Sequence, residues 1–150
     1  MLKKITICLI LLTFVAGCDY SPIHNNKKNN IEIKITSIAG DREINDYLYK
    51  DLKRKSKSSS KKIKVKINTS FTKRVLAKDT KSFATDYELK VVGNFELKNE
   101  NNSQKFTISE KFRYKNLNDK YEQNNYEKMI KRNLTKTIAS KLILRINNFK

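Results

Sequence analysis

Two groups of residues in this 150-residue chain could do chemistry. The first is Cys18, whose thiol directly follows the small residues Val15, Ala16 and Gly17. A thiolate is an effective nucleophile, and small side chains before it let an extended backbone enter a narrow peptidase site. The second group is cationic: Lys73, Arg74, Lys78, Lys81, Lys115 and Lys120. Ammonium and guanidinium groups form charge-assisted hydrogen bonds with phosphates. Other chemistry lacks its residues. His24 is the only histidine and lies in a polar stretch, so a Ser/His/Asp or Cys/His nucleophilic site is not expected, nor is a Cys/His metal centre. With Gly17, Gly40 and Gly93 as its only glycines, the chain has no glycine-rich phosphate loop. Asp79, Asp86, Glu88 and Glu96 read as loop and sheet-surface charges rather than as a catalytic carboxylate pair. Neither an enzyme nor a cofactor is expected.

Cys18 gains meaning from what precedes it. Lys3 and Lys4 lead into an apolar run from Ile5 to Val15, and small residues follow. That order is the layout of a secretory signal, and the run is too short to span a membrane permanently. The Val-Ala-Gly-Cys ending looks like the lipobox of bacterial lipoproteins, in which the peptide is cut before the cysteine and the new terminus carries lipid. The expected organisation is a signal peptide at 1–17, a lipidated N-terminus and tether at 18–30, and one α/β sandwich domain at 31–150. Cys8 falls in the signal, so no pair remains for a disulfide. The core alone must hold the fold.

The formal charge is +18, from 33 Lys and Arg against 15 Asp and Glu. It favours anionic partners: nucleic acid, acidic lipid or lipopolysaccharide. The excess is mainly lysine, spread among many asparagines and isoleucines, a pattern that AT-rich coding also produces. Charge alone therefore does not choose a partner.

Periodicity places the elements. Ile31, Ile33 and Ile35 alternate with Glu32, Lys34 and Thr36, predicting a first strand at 31–36. Ala39-Gly40 breaks the pattern, and Asp41 caps a helix to about Ser56 with Ile44, Tyr47, Leu48 and Leu52 on one face. Acids open this helix and Lys53, Arg54 and Lys55 close it, so the basic run through Lys57 reads as a solvated helix end. A second strand carries Ile63, Val65, Ile67 and Phe71, and residues 73–85 read as a polar connection. The third strand is the clearest, with Tyr87, Leu89, Val91, Phe95 and Leu97 on one face and Gly93 among them. After a turn at 99–103, a fourth strand points Phe106, Ile108, Phe112 and Tyr114 inward, interrupted by Glu110. A long helix from 118 or 119 to 146 repeats Tyr126, Ile130, Leu134, Ile138, Leu142 and Ile146, widened by Met129, Ala139 and Ile143. A four-residue repeat drifts about 40° per step on a helix of 3.6 residues per turn, so this helix should cross a twisted sheet obliquely.

The resulting order, β-α-β-β-β-α, predicts an α+β two-layer sandwich: a four-stranded mixed sheet with two helices on one face. A strand-helix-strand crossover makes strands one and two parallel, and the turn at 99–103 makes strands three and four antiparallel. If the 73–85 connection also reverses the chain, strands two and four end at the same edge. Lys73, Arg74, Lys78 and Lys81 then lie near Lys115 and Lys120, while the tether leaves from the opposite edge. With strand three in the middle, its acids face lysines on both neighbours, which accounts for many cations without a ligand.

Nucleic acid competes for the charge, since Tyr and Phe interleave with Lys as in single-strand binders. On the strands, however, Phe71, Tyr87, Phe95 and Phe112 alternate out of phase with the lysines, and the export signal removes the chain from most nucleic acid. A nucleic-acid module therefore ranks as the alternative, beside a membrane-anchored lipoprotein without glycolipid cargo.

Cys18-Asp19-Tyr20-Ser21-Pro22-Ile23-His24 resembles the start of the LptE family of lipopolysaccharide-assembly lipoproteins in its cysteine, aromatic, proline and aliphatic residue. The similarity continues through the element order, the Ala84-Thr85-Asp86-Tyr87-Glu88-Leu89 lead-in to strand three and the closing amphipathic helix. The resemblance implies an outer-membrane lipoprotein facing the periplasm. Its domain would sit inside the barrel of an LptD-like partner, assisting barrel assembly and delivery of lipopolysaccharide to the cell surface. It makes the six cations the expected lipopolysaccharide contacts, Cys18 the lipidation site, and the membrane, through that lipid, a partner; nucleic acid is not expected to be one. Asp19 departs from the family's usual glycine, and in enteric bacteria an aspartate there tends to hold lipoproteins in the inner membrane. The tether would hold the domain upright, its basic end directed away from the anchoring leaflet.

Overall fold

The computed structural model describes residues 31–59 and 61–149, so the expected signal, Cys18 and the tether lie outside the described residues. Six elements follow in order: β1 (Glu32–Gly40), α1 (Arg42–Lys55), β2 (Lys62–Lys78), β3 (Ala84–Lys98), β4 (Ser103–Lys115) and α2 (Lys120–Asn148). The strands form one sheet in the order β1-β2-β3-β4. β1 and β2 are parallel, and the two later pairs are antiparallel. This is the mixed α+β sandwich that the apolar pattern predicts.

Alternation assigns the two faces of the sheet. Ile63, Val65 and Ile67 of β2 and Leu89, Val91, Phe95 and Leu97 of β3 are buried on the helix side. Against them lie Ile44, Leu48 and Leu52 of α1 and Ile130, Leu134, Ile138, Leu142 and Ile146 of α2. The four-residue repeat is thus the buried stripe of α2. Met129 does not join it and is half exposed. Both helices start on a carboxylate cap: Asp41 Oδ1 accepts the Ile44 N–H at 3.0 Å, and Asp119 Oδ1 accepts that of Glu122 at 2.8 Å, satisfying amides the helix itself leaves open. Among the described residues no helix is long and apolar enough to cross a membrane.

Two glycines fit where a side chain would not. Gly40 has φ 98°, and a Cβ there would sit 1.8 Å from the Thr69 carbonyl oxygen of β2. It therefore ends β1 rather than interrupting it, and lets the chain turn into α1 against the neighbouring strand. Gly93 leaves room for a ring of its own strand, since a Cβ would lie 2.4 Å from Phe95 Cζ.

The main departure from expectation concerns β2, which runs to Lys78. Residues 73–78 are strand, not connection, because their backbone pairs with β3 from Leu89 back to Ala84. The apolar alternation stops after Phe71, so the pairing had no side-chain signature. Glu110 also has a local answer. No bulge disturbs the β3–β4 register; Glu110 stands on the helix side of this edge strand, and Lys141 of α2 reaches it at 2.5 Å. Phe112, expected in the core, is 42% exposed.

Candidate anion-binding site

Lys78 pairs with Ala84, and Lys115 with Asp86, so the ends of β2 and β4 meet beside the start of β3. The six sequence-identified cations therefore share one end of the domain. Strand alternation then divides them. Lys73 and Arg74, adjacent in sequence, leave β2 on opposite faces.

Lys73 points to the helix side. Its Nζ lies 2.6 Å from Glu127 Oε1 on α2 and 4.5 Å from the centroid of the Tyr87 ring. Glu127 also accepts from the Tyr114 hydroxyl and, at 2.9 Å, from Gln123 Nε2. Burial by itself would raise the Glu127 pKa, but the bonds from Lys73, Tyr114 and Gln123 and the Lys73 charge outweigh it and hold the carboxyl below its ordinary range. The Tyr114 hydroxyl moves strongly upward, through burial first and then its bond to this carboxylate. Tyr114 stacks on Tyr87 and meets Tyr126 edge-on, so Lys73 belongs to a fixed polar and aromatic cluster.

Arg74 points to the open face, where its Nη2 is 2.5 Å from Glu88 Oε1. Arg113 Nε lies 3.2 Å from the other oxygen, and Lys111 Nζ 4.0 Å away. Three cations cover this carboxylate so fully that Glu88 is only 1% exposed although no helix packs on that face. The Arg74 hydrogen bond is the largest influence on the Glu88 pKa. With the Arg113 bond and the charges of Arg74 and Lys111, it outweighs burial and keeps the carboxyl below its usual value. The cluster remains net positive.

The other four cations are uncommitted: Lys78, Lys81, Lys115 and Lys120 are exposed and form no ion pair with any described residue. Asp79 shapes the turn that carries Lys81. Its Oδ1 accepts the Lys81 and Phe83 N–H groups at 2.9 and 2.8 Å, its carbonyl accepts the Ser82 N–H, and Ser82 takes φ 65°. This turn presents Phe83, 67% exposed, beside Lys81. Val75 and Leu76 are exposed on the same hairpin, with Leu76 at a shift in the β2–β3 register. A concavity of about 500 Å³ lies at this end, lined by Lys73, Phe83, Tyr87, Leu117, Lys120 and Gln123 among others. Asn116 N–H donates to the Thr85 carbonyl at 2.7 Å, tying the β4–α2 loop to its rim.

The site thus combines free ammonium groups with exposed apolar side chains, a surface suited to an amphiphile bearing phosphates. The sequence reading missed the apolar half. Its signal was there, in Val75, Leu76 and Phe83 within a segment otherwise polar. Among the described residues no group of three His, Cys, Asp or Glu could hold a metal ion.

Among solved structures, the chain is similar to rare lipoprotein B from Shewanella oneidensis, at 12% identity and a TM-score of 0.62, over 80% of this chain and 95% of that one. It is also similar to lipoprotein B from Nitrosomonas europaea, at 14% identity and a TM-score of 0.53, over 80% of this chain and 86% of that one. At these identities the likeness is one of fold. No curated protein matches significantly. The sequence model of the lipopolysaccharide-assembly family LptE matches residues 29–146. With a match over most of its length, the chain belongs to the LptE family.

Proposed function

We propose that this protein is the lipoprotein subunit of an outer-membrane lipopolysaccharide translocon, and that its basic hairpin end contacts the glycolipid. Cys18 carries the lipid anchor, the domain faces the periplasm, and an LptD-like β-barrel is the partner whose assembly it assists. The observation that carries this reading is the pairing of uncommitted Lys78, Lys81 and Lys120 with exposed Phe83, Val75 and Leu76 at one end of the sheet. Lipopolysaccharide offers matching chemistry: phosphates for the ammonium groups and acyl chains for the apolar side chains. Lys73 and Arg74 play a different part from that expected from sequence. They are held by Glu127 and Glu88, and they shape the site and its potential more than they bind.

The test has two arms. Charge reversal of Lys78, Lys81 and Lys120 together should weaken lipopolysaccharide binding at least tenfold while the thermal melt stays unchanged. Unaltered binding would sink the hairpin end as the contact. Extraction of the intact protein from membranes should bring a large β-barrel with it, and its absence argues against the translocon.

A further inference from the structure

The lysines farthest from that site follow an arrangement that the site does not explain. On the open face, Lys34 of β1 stands directly opposite Lys64 of β2, and Lys64 directly opposite Lys98 of β3. Neighbouring strands lie about 4.8 Å apart, so three ammonium-bearing stems form one file across three strands. Like charges directly opposite each other destabilise a sheet. The rows on either side show the ordinary solution, with Glu32 4.0 Å from Lys62 and Glu96 3.6 Å from Lys66. Among the described residues the middle file has no carboxylate partner.

More charge gathers at the same end. From Lys53 to Lys66 the sequence holds eight Lys or Arg and no Asp or Glu. The Lys57 N–H donates to the Ile31 carbonyl at 3.0 Å, and the Glu32 N–H to the Lys61 carbonyl at 2.9 Å. This basic segment therefore brackets the point where the described chain begins. A hollow of about 410 Å³ there is lined by Lys61, Lys62, Lys64 and Lys98, with Glu100 the only carboxylate among the described residues that line it. The negative end of the α1 dipole accounts for Lys53 and Lys55. It does not account for Lys34, Lys64 and Lys98, which stand on the face away from the helices.

We infer that this end of the sheet docks onto the phosphate headgroups of anionic phospholipids, with the Lys34–Lys64–Lys98 file at its centre. The choice of occupant rests on the proposed anchor at Cys18. Only residues 18–30 separate that thiol from β1, at most about 45 Å of extended chain. The leaflet that holds the lipid is then the nearest anionic surface, and the tether keeps it at high effective concentration. Charge complementarity supplies the rest, because basic residues close to an anionic leaflet each strengthen binding about fivefold. Docking in this way sets the file at the headgroup level of the anchoring leaflet and directs the hairpin end away from that leaflet.

The experiment uses the chain from residue 18 with Cys18→Ser, so that no lipid contributes. Sedimentation with vesicles compares phosphatidylcholine alone with phosphatidylcholine mixed with phosphatidylglycerol, at low and physiological salt. Binding is expected only to the anionic vesicles, weakening as salt rises. Lys34→Gln, Lys64→Gln and Lys98→Gln together should lower it on the order of 100-fold, and Lys64→Gln alone about fivefold. The triple variant should melt no lower than wild type, since it removes repulsion. Lys78→Gln, Lys81→Gln and Lys115→Gln, the same change in charge at the far end, should leave vesicle binding within about twofold. No binding to anionic vesicles, or equal losses in the two triples, overturns the inference. Because the vesicles contain no glycolipid, failure here leaves the lipopolysaccharide site standing, and loss of glycolipid binding by the far-end triple alone leaves this surface standing.

Discussion

Lys73 and Glu127 give the sharpest test of how the cations divide between structure and binding. Their charged atoms are 2.6 Å apart, with the lysine side chain 35% exposed and the glutamate 15%. Fully exposed pairs contribute about 0.2–1 kcal/mol, and breaking a fully buried pair costs about 3–5 kcal/mol. The exposure of Lys73 keeps this pair near the lower range, so a double-mutant cycle with Lys73→Gln and Glu127→Gln should return a coupling of about 1–1.5 kcal/mol. For a domain of this size, Lys73→Gln should lower the melting temperature by about 6 °C. Urea and thermal melts of the four proteins measure this, and lipopolysaccharide binding is measured on the same samples. Lys73→Gln should change affinity less than about twofold, by contrast with the uncommitted lysines, whose loss should weaken binding without moving the melt. Acid adds an independent check. The folded Glu127 carboxyl lies below its unfolded value, so its stabilisation is complete above about pH 4.5 and disappears as pH falls through the lower folded pKa. The wild type should lose its advantage over Glu127→Gln in that window. A Lys73→Gln protein that melts like wild type yet binds lipopolysaccharide tenfold more weakly would refute the assignment and make Lys73 a ligand contact.

Two further outcomes probe the scaffold. Gly40→Ala should destabilise the domain by more than about 3 kcal/mol, because φ 98° and a Cβ 1.8 Å from the Thr69 carbonyl force β1 away from β2; a denaturant midpoint close to wild type would show that the turn can relax. Asp41→Ala removes the α1 cap and one of the two carboxylates holding Lys131, and should cost about 1–2 kcal/mol at neutral pH. Burial pushes the Asp41 carboxyl up, but the Ile44 N–H and Lys131 outweigh it and the net shift is downward, so urea melts should show the penalty intact above about pH 4 and fading as pH drops below it.

The elements that could be read from the sequence were those whose side chains alternate along their own strand. β3 carries its register in Tyr87, Leu89, Val91, Phe95 and Leu97, and α2 carries its stripe in residues four apart. The mixed sheet follows, because a crossover and two reversals leave little freedom once each element has one apolar face. What stayed hidden depends on distant partners. β2 continues to Lys78 only because β3 is there to pair with it, and nothing in Lys73-Arg74-Val75-Leu76 alternates. Reading those residues as a loop concealed the fact that strand parity sends Lys73 to α2 and Arg74 to the open face. Glu110 was opaque for the same reason, since its partner Lys141 lies 31 residues away on another element. The hairpin end of the sheet was located from topology alone, but which of its cations are free was set by Glu88, which the sequence pattern offered only as a surface charge, and by Glu127, which that pattern did not single out.

The two basic ends are joined by a single strand, and its length ties them to one geometry. From Lys64 to Lys78, β2 rises about 46 Å at 3.3 Å per residue. A bilayer with its headgroups is about 40–45 Å thick. If the lysine file docks on the leaflet that holds the Cys18 anchor, the hairpin end stands at about the depth of the opposite headgroups. For a domain enclosed in a barrel, that is the height at which lipid A phosphates must be received, and there the chain carries Lys78, Lys81 and exposed Phe83. The overlong β2–β3 ladder thereby acquires a reason that the core does not supply, since burial ends before Thr72 while the strand continues to Lys78. On the proposed docking, the file sets the height at one end, the backbone pairing sets the distance, and the free cations at the other end are placed to meet the phosphates.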